Sequence, residues 1–215
     1  MFFNFITYNK FKEKKWKKLS LEKRAEAFQA LENIQAKKLD RPVYKVEFNE
    51  DLDESILGRC DNKKRIIQLN KIFIQDLAFR FLGMITLFHE GRHAFQYDCC
   101  FGDKEPWIFS NAYKWKKNFE GYVDGGEDKF SFYSMQPVER DACKYALKRL
   151  RSFRFRYGNE LFYFKTYELK VKEFEDTKQL AKEELGIFYK QKVALRNRKE
   201  RNERIEKKNW IVKFC

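Results

Sequence analysis

Only two histidines occur in the 215 residues, and they stand four apart in Leu87-Phe88-His89-Glu90-Gly91-Arg92-His93. Positions i and i+4 share one face of a helix, so a helix through this stretch lets both imidazoles grip one zinc ion with Glu90 beside it. Zinc held by two histidines needs a further protein ligand and an open position. The fold must therefore bring a distant residue to this helix. With no third histidine in the chain, that residue is a carboxylate.

The surrounding sequence reads as a buried helix. Leu77, Phe81, Met84, Ile85, Leu87 and Phe88 make it apolar over a wide face, with a start between Lys71 and Asp76 and an end near Tyr97. Upstream, Ser20 caps a helix that runs to about Lys38 with Leu21, Ala25, Phe28, Leu31 and Ile34 on one stripe. Arg41-Pro42 ends it, and Val43, Tyr44, Val46 and Phe48 follow as a strand. The runs Ile56 to Cys60 and Arg65 to Leu69 flank the polar turn Asp61-Asn62-Lys63-Lys64, which predicts a hairpin and a small antiparallel sheet.

Residues 98 to 134 are rich in loop signals, with a helix expected around Ile108 to Phe119. Another helix opens at Gln136 with Pro137 in its first turn. Glu139 on that helix is the first candidate for the missing ligand. Ala142, one turn later on the same face, is small enough to let two helices approach. Asp141 points elsewhere on the helix and is the second candidate.

The pair His89-Glu90-x-x-His93 and Glu139-x-x-Ala142 resembles the gluzincin-type zinc metallopeptidases, and the small size resembles the minimal ImmA/IrrE-like group. The resemblance covers roughly residues 20 to 155. It implies an α+β, mainly helical fold with a minimal zincin-like core: a backing helix, a small sheet, the HExxH helix and a third-ligand helix. It also implies zinc on His89, His93 and Glu139, Glu90 as general base, and hydrolysis of peptide bonds in a protein substrate. Tyr133, just before the Glu139 helix, is the candidate oxyanion donor. Gly91-Arg92 departs from the usual apolar-Gly pair inside the motif, and Cys143 stands where related sequences often carry a polar residue.

Three segments are expected: a basic N-terminal segment over 1–19, the metallopeptidase core over 20–157, and a long amphipathic helix with a basic arm over 158–215. In the first, six lysines among residues 10 to 18 surround Phe11 and Trp16. In the last, Leu161, Phe164, Tyr167, Val171, Phe174, Ala181, Leu185, Phe188 and Leu195 form a stripe that the domain itself or a second chain must cover. Between Lys190 and Lys213 ten Lys or Arg stand against three Glu. With a net charge of +14, this arm suits an acidic protein or a nucleic acid, and the alternative function is a basic nucleic-acid-binding or regulatory protein whose metal site is structural or inactive. Five cysteines without CxxC spacing fit reduced thiols in a cytoplasm, and no stretch predicts a signal peptide or a transmembrane segment.

Overall fold

The computed structural model describes residues 2–50, 52, 56–102, 109–122, 133, 136–157, 159–180 and 182–183. The chain divides into two units, Met1–Phe174 and Glu175–Cys215. In the first, helices α1 (Phe2–Lys10), α2 (Glu13–Trp16) and α3 (Leu21–Leu39) precede strands β1 (Lys45–Asn49), β2 (Gly58–Asp61) and β3 (Ile66–Asn70). Helices α4 (Ile72–Gln75), α5 (Arg80–Phe101), α6 (Phe109–Glu120), α7 (Pro137–Arg151) and α8 (Arg154–Tyr157) follow, and residues 161–174 are helical. The protein is mainly helical with one small sheet. No helix among the described residues is long and apolar enough to cross a membrane.

The backing helix α3 forms where expected. Ser20 accepts a hydrogen bond from the Lys23 backbone N–H at 3.3 Å, and Asp40 closes the other end in the left-handed conformation. Phe28 and Leu31 are fully buried on its inner face. The sheet corrects the expectation of a purely antiparallel arrangement. Its order is β1-β3-β2, with β2 antiparallel to β3 and β1 parallel to β3. The predicted hairpin is β2–β3, but β3 occupies the middle. Its Ile67 and Leu69 are both fully buried, so the most apolar strand takes the central place and β1 is left to pair along its other edge.

The motif helix is also shorter at its start than the hydrophobic pattern predicts. Asp76 leaves the helical conformation and its carboxylate accepts from the Ala78 N–H at 2.8 Å, which separates α4 from a short 3-10 turn at Leu77–Phe79 and from α5. The fully buried Arg80 then anchors the start of α5. It donates to the Phe11 carbonyl at 2.9 Å and pairs with Glu160. This ties the N-terminal segment to the core. Phe11 and Trp16 are stacked with ring centroids 5.2 Å apart and are completely buried against Phe28. The lysines between them remain at the surface.

In the helical segment 161–174, the residues facing the core differ from the predicted stripe. Tyr163 is buried beside Phe81 and Tyr157 and donates to the Leu150 carbonyl at 2.6 Å, whereas Leu161 and Phe164 are exposed. Tyr167, a member of the predicted stripe, stacks on Tyr163 from the next turn and packs against the core, so the departure is confined to Leu161 and Phe164 at the start of the stripe. In the second unit residues 175–180 are helical, with an ion pair between Lys178 and Glu175. The basic run Arg196 to Asn202 lies outside the described residues.

Candidate metal centre

Helices α5 and α7 pack against each other and bring the two sequence motifs together. Glu139 and Ala142 lie buried on the same face of α7, with Ala142 fully buried, so the short side chain allows the close approach its position predicts. Pro137 sits in the first turn of α7, and Asn118 of α6 holds that turn by accepting from the Val138 N–H at 3.1 Å and donating to Gln136 at 2.7 Å. Glu139 is thereby presented from the first turn of α7 to the middle of α5.

His89 Nε2 lies 3.1 Å from Glu139 Oε2 and 3.0 Å from His93 Nε2, and His93 Nε2 lies 3.2 Å from Glu139 Oε1. Among the described residues, this group can hold a metal ion. His93 and Glu139 are buried, while the His89 side chain keeps 18% of its surface, so the group opens to solvent on the His89 side. Burial disfavours the Glu139 carboxylate charge, yet His93 and His89 outweigh it and hold the group well below the usual carboxylate range. Burial also opposes a charge on His89, but the Cys143 sulfur accepting at Nδ1 and the Glu139 and Glu90 carboxylates overcome it and raise its pKa. The centre thus favours positive charge facing a fixed carboxylate, which is the balance a dication meets.

The imidazoles are oriented from behind. His93 Nδ1 is 2.9 Å from Gln96 Oε1, and the Gln96 amide donates to the Val138 carbonyl and to Asp141 Oδ2, both at 2.9 Å. Because the amide nitrogen is committed as donor, its oxygen faces His93 and selects the tautomer with Nδ1 protonated and Nε2 free. Asp141 receives Arg92 as well, at 2.7 and 3.2 Å. The Arg92 guanidinium also lies over Phe95 at 4.5 Å and Tyr145 at 5.1 Å. On the other imidazole, His89 Nδ1 faces Cys143 Sγ at 3.6 Å.

The unusual Gly91-Arg92 pair therefore has a physical basis. A Cβ at residue 91 would lie 2.3 Å from Gln35 Nε2 and 2.7 Å from Arg41 Nη2. Glycine lets α3 press against α5, where Gln35 donates to the Phe88 carbonyl at 3.1 Å and the buried Glu32–Arg41 pair closes the contact.

Of the predicted residues, the structure brings His89, His93 and Glu139 into one group, while Asp141 is directed to Arg92 and Gln96. Glu90 is buried near them, and burial raises its pKa although His89 and His93 pull the other way. Tyr133 lies beside Tyr122, to which it is hydrogen-bonded, and the two rings meet edge to face at 6.1 Å. The phenol that reaches the group is Tyr122, which donates to Glu139 Oε1 at 2.6 Å. Gln96 could have been suspected from its place one turn after His93, but nothing in the local sequence marks Tyr122, whose position depends on how α6 docks on α7. No family model, curated protein or solved structure matches the chain.

Proposed function

We propose that the chain is a zinc-dependent peptidase acting on a protein substrate. The observation that carries this reading is Glu90, a buried carboxylate beside the metal-binding group that is not itself one of its three ligands. A purely structural metal site has no use for a proton acceptor there.

The residues fit zinc. Donor atoms on a tetrahedral zinc ion with bonds near 2.05 Å stand about 3.3 Å apart. The two Nε2 atoms stand 3.0 Å apart, and each lies 3.1 to 3.2 Å from one Glu139 oxygen, His89 from Oε2 and His93 from Oε1, distances that approach that edge length. Two imidazoles and one carboxylate also suit zinc better than calcium or magnesium, which prefer oxygen ligands throughout. Zinc bound to His89, His93 and Glu139 supplies Lewis-acid polarisation of the scissile carbonyl and lowers the pKa of water.

In this reading Glu90 takes the proton from the attacking water and passes it to the leaving amine. A buried carboxylate beside the ligands is placed for both halves of that task. Gln96 keeps His93 in the tautomer that leaves Nε2 unprotonated. Strand β2 supports the substrate assignment. It is an edge strand lying against α5, and a free strand edge is a place where an extended peptide can pair.

The alternative of a nucleic-acid-binding protein has less support from the N-terminal lysines. Phe11 and Trp16, the aromatic residues among them, are buried and have no free face for a base. The test is Glu90→Gln, which keeps shape and hydrogen bonding but accepts no proton. Expected is a folded, zinc-loaded protein that retains its target and cleaves it at least about a thousandfold more slowly, with the loss in the catalytic step. Proteins captured on the Glu90→Gln variant that stay whole when given zinc-loaded wild type, or full activity of the variant, contradict the proposal.

A further inference from the structure

We infer that Tyr122 is a positioning residue that dictates which oxygen of Glu139 a metal receives. The inference rests on the metal-site reading and on none of the peptidase chemistry. Tyr122 lies two residues beyond α6, and α6 is pinned to the start of α7 through Asn118, Gln136 and Val138. The phenol therefore approaches the ligand from the same helix junction that positions Glu139. Its hydroxyl donates to Oε1 at 2.6 Å, a charge-assisted bond to a buried carboxylate.

Both oxygens face the imidazoles, Oε2 towards His89 at 3.1 Å and Oε1 towards His93 at 3.2 Å, but only Oε1 also carries the phenol bond. A glutamate can meet a metal through one oxygen or through both. With the Tyr122 proton occupying Oε1, the carboxylate is steered to give the metal Oε2 alone, and the coordination position that water and substrate need is kept open. Without that proton, Oε1 is free to turn onto the metal and fill it. Tyr133 packs edge to face on the Tyr122 ring and limits its swing. Tyr122 is nonetheless 38% exposed, which leaves it at the rim of the site and not deep in the core.

The test uses the full chain with cobalt(II) in place of zinc, because the visible bands of cobalt(II) are intense in four-coordinate sites and weaker in five-coordinate ones. Wild type is expected to give the intense spectrum. Tyr122→Phe is expected to weaken the bands roughly twofold or more and to lower cobalt affinity about tenfold. A variant with the spectrum and affinity of wild type overturns the inference while leaving the metal site intact. Cobalt uptake by His93→Ala equal to that of wild type overturns the metal site itself, and the inference with it. If Tyr122→Phe does not fold, a crystal structure of the zinc-loaded wild type decides. Tyr122 bonded to a non-coordinating Oε1 supports the assignment, and a two-oxygen Glu139 or a Tyr122 turned away contradicts it.

Discussion

Glu139 and Asp141 stand two residues apart on one helix, yet their carboxylates have separate tasks. Glu139 is buried against both imidazoles, whereas Asp141 gathers Arg92 and Gln96 and so acts on His93 through the Gln96 amide. Their replacement should therefore carry unequal costs. Glu139→Gln removes a ligand charge from a buried site and should lower zinc affinity by more than about a hundredfold. Asp141→Asn leaves the ligands in place and should lower it only about tenfold, the usual range for an orienting partner. Competition with a chromophoric zinc chelator measures both. A larger loss in Asp141→Asn than in Glu139→Gln would reverse the assignment.

Among the elements, the contact of α3 with α5 supports the histidine helix from behind. Gly91→Ala places a methyl group into Gln35 and Arg41, and either the two helices separate or the Glu32–Arg41 pair is disturbed. A loss of about 1–3 kcal/mol is expected for such overpacking, measured by denaturant unfolding of the metal-free protein. An unchanged midpoint would mean that α3 and α5 are not in this contact. The helices of the core were legible because each carries its own local signal: Ser20 as cap for α3, Pro137 for the first turn of α7, and the i, i+4 histidines for α5. The sheet was legible as a hairpin but not in its order, since the parallel pairing of β1 with β3 depends on which strand is most deeply buried. The break at Asp76 was hidden by the apolar residues on both sides, and the burial of Tyr163 by its place off the stripe that Leu161 and Phe164 begin. Tyr122 was unreadable for a different reason. Its role arises from a contact between elements with no spacing rule to announce it.

At the scale of the whole molecule, the centre links stability to pH and to metal. Glu139 has a folded pKa below its ordinary 4.5, so the stability it contributes is present above that value and is lost as pH falls through the folded pKa. His89 is raised above its ordinary 6.5, so its contribution is complete below that value and is lost as pH rises through the folded pKa. The metal-free protein should therefore gain most from this group between those two ordinary values. Metal binding needs unprotonated imidazoles and strengthens in the opposite direction. Removing metal with a chelator should lower the melting temperature more at about pH 8 than at about pH 5.5. An equal drop at both would show that the ion, if bound, is not on these histidines.

The most direct test of the central claim is elemental analysis of the purified chain alongside three single-residue variants. One zinc per chain is predicted for wild type and for Glu90→Gln, with little or none in His93→Ala and Glu139→Gln, because the first of the three replaces the base and the other two remove ligands. A full complement of zinc in His93→Ala, or its loss from Glu90→Gln alone, would contradict the account.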